Sequence, residues 1–132
     1  MPQVRDLKRF LEEVIFNEGK ALNQLSYIFC SDEYLLKINQ DFLKHDTYTD
    51  IITFNFGNAS GIDGEIYISV DRVRENATQY SSSFKRELFR VIIHGVLHLV
   101  GYRDKKKSES RVMRDKEDYY LLSFEKKFNV SL

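Results

Sequence analysis

Residues 84–100, FKRELFRVIIHGVLHLV, form the most apolar segment of the chain. Phe84, Leu88, Val91, Ile92, Gly95 and Leu99 recur there at the spacing of one helical face. A helix this apolar has to be covered by other elements, so it belongs at the centre of the protein. Gly101 follows it, in the place where a helix C-terminus favours a left-handed glycine. The chain has 132 residues, the length of one domain. Such a chain buries roughly two-thirds of the surface it exposes when unfolded, enough for a core without staples. A hydrophobic content of 42% with 30% charged residues excludes a disordered tail, a collagen-like chain and a disulfide scaffold.

The remaining segments supply the cover. Val4, Leu7, Leu11, Val14 and Ile15 follow helical spacing, and that helix should end near Gly19. Residues 25–30 read as a short apolar strand, with Cys30 as a buried core thiol. Ser31 offers an N-cap to a helix carrying Leu35, Ile38 and Phe42. A polar loop, residues 44–47, leads into a β-branched and aromatic strand, residues 51–56. Residues 57–64 read as a turn region, and residues 65–70 as a strand with Ile66, Ile68 and Val70 on one face, which suggests a hairpin. Asp71 should cap a short helix running to about Tyr80, and a last helix should begin near Ser108, carrying Val112, Met113, Tyr119, Tyr120 and Phe124. The expected architecture is α/β of the α+β type. A single compact domain, residues 1–132, holds a small mixed sheet packed by about five helices, with the histidine-bearing helix central.

Chemistry concentrates on that central helix. His94 and His98 stand four apart, so both rings project from one face, close enough to grip one metal ion. On the pair alone, two core histidines bonded to backbone carbonyls are an equal reading. The residues beyond shift the balance. Gly101 breaks the helix and Asp104 follows three residues later, so the chain can turn back and bring a third ligand to the metal. The spacing is that of H-E-x-x-H-x-x-G-x-x-H metalloproteases, with Asp104 in the third ligand position. Gly95 stands where their catalytic glutamate stands, and a protease without that base has lost its mechanism. An iron-dependent oxygenase would use two histidines and one carboxylate, but its usual H-x-D/E…H order is absent.

The segment HGVLHLVGYRD, residues 94–104, resembles the H-G-x-L-H-L-x-G-Y-D-H signature of the YbeY family of bacterial metal-dependent endoribonucleases. Ile38-Asn39 followed by Thr49-Asp50-Ile51-Ile52-Thr53-Phe54 resembles the family's L-N-x-x-Y-R…T-D-V-L-S-F stretch, and Gly64-Glu65-Ile66-Tyr67-Ile68-Ser69 its G-D-I-x-I-S strand. The resemblance covers roughly residues 25–122. It implies single-strand-specific cleavage of RNA in ribosomal RNA maturation and ribosome quality control. It also implies the small ribosomal subunit, and a ribosomal protein or GTPase, as partners. His94, His98 and Asp104 would hold one divalent metal, zinc in the first place, with nickel, manganese or iron as alternatives. Such a metal would activate the phosphate or a water.

Three departures from the family pattern matter. Its third ligand is a histidine, where this chain has Asp104; a carboxylate oxygen also binds zinc, but its charge broadens the choice of metal. Its active-site arginine falls at Leu43, so Lys44, His45 or Arg103 would have to meet the phosphate, unless Lys44 and His45 are simply a solvated loop. Family members open with a strand, whereas this chain enters a helix almost at once, which leaves a sheet one strand short or a trimmed chain.

Charge is informative only locally, because twenty Lys and Arg balance twenty Asp and Glu over the whole chain. From Leu99 to Lys116, however, seven basic residues (Arg103, Lys105, Lys106, Lys107, Arg111, Arg114 and Lys116) face three acidic ones, Asp104, Glu109 and Asp115, a net +4. That stretch could hold a phosphate backbone or be an ordinary solvated face. Tyr102 could stack on a base or lie buried under the helix end. The N-terminus lacks the apolar core of a signal peptide and no segment is long enough to span a membrane, so a cytoplasmic protein without a membrane partner is expected. The competing expectation is a non-catalytic, ribosome-associated RNA-binding factor whose metal is structural, motivated by Leu43 and Asp104.

Overall fold

A computed structural model describes residues 4–42, 50–58 and 60–132. Along the chain run α1 (Val4–Asn17), β1 (Leu22–Cys30), α2 (Asp32–Phe42), β2 (Ile51–Asn55), β3 (Ile62–Ser69), α3 (Val70–Gln79), α4 (Phe84–Leu99) and α5 (Lys107–Phe128). The three strands form one sheet in the order β1-β3-β2. β1 lies parallel to β3, with Tyr27 opposite Ile66, and β2 lies antiparallel to it, with Thr53 opposite Ile66. The expected hairpin is therefore present, inside a mixed sheet with five helices around it.

Two local expectations need correction. The third strand begins at Ile62, inside the stretch read as a turn, because β1 and β2 pair with it on both sides through Gly64. At its other end Val70 has already entered α3. Ser69, not Asp71, caps that helix: the Ser69 hydroxyl accepts the Arg72 N–H at 3.1 Å. Asp71 caps a different helix instead, its carboxylate accepting the backbone N–H of Asp32 at 3.0 Å at the start of α2. Cys30 is only half-buried, and its thiol donates to the Ile68 carbonyl at 3.4 Å.

α4 is the hub of the core. From Glu87 to Val100 every residue is buried except Arg90, His94 and His98, which recur every fourth position and form one polar stripe. On its sheet side α4 meets β2 and β3 at Gly95, where a Cβ would lie 2.6 Å from Ile51 Cδ1 and 3.2 Å from Ile66 Cγ2. That close approach accounts for glycine at this position: the helix sits directly on the sheet. The opposite face of the sheet carries α2, whose Leu35 and Ile38 cover Ile52 in a second, smaller cluster. α1 and α5 close the other side of α4, where Phe10 packs edge-on against Phe124 with ring centroids 5.3 Å apart. Each such buried leucine or phenylalanine contributes roughly 1.5–3 kcal/mol, so the histidine helix is held by its neighbours rather than by its own propensity. No helix among the described residues is long and apolar enough to cross a membrane.

Candidate metal centre

The C-terminal end of α4 creates the site. Gly101 adopts φ 112°, and two reversed hydrogen bonds stop the helix: Gly101 N–H to the His98 carbonyl and Tyr102 N–H to the Leu97 carbonyl, both at 3.0 Å. This turn has two consequences. It leads the chain back so that Asp104 stands over the histidines, and it aims the Tyr102 carbonyl at His98 Nδ1, 2.9 Å away. A carbonyl only accepts, so His98 carries its proton on Nδ1 and presents the Nε2 lone pair outward. His94 is oriented from another element, with its Nδ1 2.6 Å from the Glu117 carboxylate on α5.

The two Nε2 atoms thus meet each other at 2.9 Å, and Asp104 Oδ2 lies 3.2 Å from the one and 3.4 Å from the other. Neighbouring ligand atoms on a tetrahedral ion with bonds near 2 Å stand about 3.3 Å apart, so the spacing suits such an ion. The donor set fits as well. With both Nδ1 atoms donating elsewhere, the two Nε2 atoms and a carboxylate oxygen converge, and with both rings neutral they offer two nitrogen lone pairs and an oxygen to a cation. Among the described residues this is the group of three histidine, cysteine or carboxylate ligands that closes within 4.8 Å.

Electrostatics around the centre follow from burial and pairing. Burial works to lower the His94 pKa, but the Glu117 hydrogen bond and the negative charges of Glu117, Asp50 and Asp104 carry it above the ordinary histidine value. Glu117 is itself buried, and its other oxygen accepts Arg90 Nη1 at 3.0 Å, while Arg90 Nη2 donates to Asp118 at 2.7 Å. Arg90, Glu117 and His94 therefore form a continuous chain ending at the proposed ligand atom, the pattern by which an outer carboxylate fixes a ligating imidazole. A cavity of about 240 Å³ adjoins the centre, with Asp50, Glu87, His94, Asp104, Arg114 and Tyr80 among its walls. Burial pushes the Asp50 and Glu87 carboxyl groups above their ordinary values.

His94, His98 and Asp104 are thus brought together as the sequence suggests. Arg103 is exposed and lines a groove with Tyr102 and Val112 rather than the cavity wall. Lys44, His45 and Leu43 lie outside the described residues. Tyr102 lies under the helix end, its hydroxyl bonded to Glu18 and its ring beneath Lys116. The sequence reading missed Glu117, Arg90, Asp50 and Glu87. Glu87, Arg90, His94 and His98 do follow a helical i, i+3/i+4 path, which marks a polar stripe on an apolar helix. Nothing local marks Glu117, which reaches His94 across 23 positions of sequence.

A family model described as Endoribonuclease YbeY matches residues 3–125. The chain is 49% identical over 120 residues to the endoribonuclease YbeY of Flavobacterium psychrophilum, covering 91% of this chain and 86% of that one. It is 50% identical over 117 residues to that of Cytophaga hutchinsonii, covering 88% of this chain and 82% of its relative. The solution structure of TM1509 from Thermotoga maritima superposes with a TM-score of 0.66 at 30% identity, covering 97% of this chain and 85% of that one. Signature, fold and relatives agree, and the chain belongs to the endoribonuclease YbeY family.

Proposed function

We propose that this protein is a metal-dependent endoribonuclease that cuts single-stranded RNA in ribosomal RNA maturation and ribosome quality control. One divalent ion, zinc in the first place, is held by His94, His98 and Asp104. The observation that carries the reading is the convergence of two imidazole lone pairs and one carboxylate oxygen, each oriented by a second group. An ion there supplies Lewis-acid activation of a phosphodiester or of water.

The chain's own residues account for the rest. Glu117 and the Tyr102 carbonyl hold the two rings in one tautomer, so no reorganisation is needed on binding. Asp104, with its side chain 38% exposed, keeps the centre open toward solvent and substrate. Arg114, half-exposed at the cavity wall, and the exposed Lys105, Lys106, Lys107 and Arg111 beside it supply positive charge for a phosphate backbone. The unpaired Cys30 suits a reducing, cytoplasmic location, and a ribosomal partner fits the same assignment.

A second reading, an RNA-binding ribosome factor with a structural metal, is favoured by Asp104 in place of a histidine and by Leu43 in place of an arginine. The separating measurement is metal content per chain together with an RNA assay. Wild type should hold about one divalent ion, and His94→Ala should hold none. A single-stranded RNA should be shortened by wild type and left whole by His98→Ala, with the thermal transition of the variant retained. RNA bound but left intact with every divalent metal tried would favour the second reading. No metal uptake from zinc, nickel or manganese would sink the metal centre itself.

A further inference from the structure

The cavity beside the metal centre has a wall that the metal does not use. Glu87, in the first turn of α4, is 6% exposed, and its carboxylate has no hydrogen-bond or ion-pair partner among the described residues, although the charges of Arg90 and Arg114 act on it through space. The nearby cation Arg90 is already engaged by Glu117 and Asp118. Among the described residues the one fully buried side-chain polar atom without a partner is the Tyr27 hydroxyl, so the Glu87 oxygens keep contact with the cavity and can accept from whatever occupies it. Asp50 shares the cavity, its carboxylate accepting a long contact, 3.4 Å, from the Asn76 amide and a bond from its own backbone N–H. At the rim, where α3 ends, Tyr80 is 59% exposed.

The chemistry of this lining selects its occupant. A second metal ion is disfavoured, because Glu87 and Asp50 are not part of any group of three ligand atoms converging within 4.8 Å among the described residues. Beside Glu87 and Asp50 a phosphate is disfavoured, because Arg90 is held by Glu117 and Asp118, whereas the half-exposed Arg114 is left to face a backbone phosphate at the cavity wall. A neutral group rich in N–H donors is accepted, and a nucleobase with a free Watson–Crick edge is such a group. Guanine presents N1–H and N2–H side by side, matching the two oxygens of one carboxylate. Adenine and cytosine offer an amino group beside an acceptor nitrogen, and uracil a single N–H between two carbonyls.

Resting on the RNA-cleaving reading above, we infer that the cavity between α3, α4 and α5 is a guanine subsite. Glu87 accepts from the Watson–Crick edge of an unpaired guanine, and Tyr80 stacks on its face. The phosphate next to that base then lies at His94, His98 and Asp104. Only an unpaired guanine can offer this edge, so the subsite also excludes duplex RNA.

Two measurements test it. The first sequences the ends produced by wild type from a random single-stranded RNA pool. Guanine should be enriched on one side of the cuts, and Glu87→Gln should flatten that enrichment. The second follows binding of guanosine monophosphate and inosine monophosphate by NMR titration of the metal-loaded protein. These differ only in the N2 amino group, and the guanine nucleotide should bind tighter by on the order of tenfold. Glu87→Gln should remove the difference, and Tyr80→Ala, at an exposed position, should weaken both nucleotides alike. RNA cut without base bias, or equal binding of the two nucleotides, overturns the subsite and leaves the nuclease reading standing. A guanine preference without any RNA cleavage upholds the subsite and overturns the nuclease reading. If Glu87→Gln fails to fold, the wild-type nucleotide comparison and Tyr80→Ala still decide.

Discussion

Glu117 divides its carboxylate between a histidine ring nitrogen at 2.6 Å and an arginine at 3.0 Å, and nearly all of it is out of water. Both bonds are charge-assisted, so the geometry of His94 is set more firmly than a single neutral hydrogen bond would set it. In Glu117→Gln an amide group must turn its N–H₂ toward either Arg90 or the His94 N–H, and one bond is lost whichever way it turns. The expected outcome is a metal affinity lower by about ten- to a hundredfold, with stability lower by roughly 1–3 kcal/mol. Competition with a chelating dye measures the first and urea unfolding of the metal-free protein the second. Unchanged metal affinity in a folded variant would mean that Glu117 only braces α5. At this scale the convergence of His94, His98 and Asp104 could be read from the chain because these residues and Gly101 are neighbours in sequence. Glu117 could not, because its place opposite His94 depends on how α5 lies along α4.

α4 shows how one element serves fold and site together. Its buried faces carry Leu88, Phe89, Ile92, Ile93, Val96 and Leu97, while its one polar stripe points into the cleft. Gly95 lies between the histidines but on the sheet side, against Ile51 and Ile66. The position of a metalloprotease base is therefore filled by the sheet, a physical reason for that reading to fail. Gly95→Ala should change stability by only about 0–2 kcal/mol, since the methyl group crowds a flexible Ile51 end while alanine favours the helix. Gly95→Glu should abolish cooperative thermal unfolding, because a carboxylate would be forced unpaired between α4 and the sheet. A native-like melting curve for that variant would contradict the packing described here. The helix and its stop were legible because period and glycine are local signals. The early start of β3 was not, because pairing on both sides overrides the weak strand propensity of a glycine-containing segment.

Across the whole molecule, Glu18 ties the two ends of the fold to the site. It accepts from the hydroxyls of Tyr102 and Tyr120 and from Lys116, so the end of α1, the turn after α4 and the middle of α5 meet at one carboxylate. Burial works to raise the Glu18 pKa, but the bonds from Tyr102, Tyr120 and Lys116 bring it below the ordinary glutamate value of 4.5. A carboxyl group depressed on folding stabilises in full above its unfolded pKa and loses that contribution as pH falls through its folded pKa. Glu18→Gln should thus cost about 1–3 kcal/mol at pH 7, and the gap to wild type should narrow below about pH 4, as urea unfolding at both values would show. A gap independent of pH would assign the loss to packing instead. The same variant should loosen the Tyr102 turn, whose carbonyl orients His98.

By itself the sequence determined the central helix, its glycine stop and the convergence of His94, His98 and Asp104, together with most strands and helices. All of these rest on periodicity or spacing within about one or two turns of chain, where geometry leaves few choices. Tertiary structure alone decided which groups stand behind those three residues: Glu117 and Arg90 behind His94, Glu18 behind the Tyr102 turn, and Glu87 in the cavity wall. Those contacts join residues up to 84 positions apart. Their register is set by how apolar faces pack, and a charged residue read along the chain carries no mark of the partner that burial will give it.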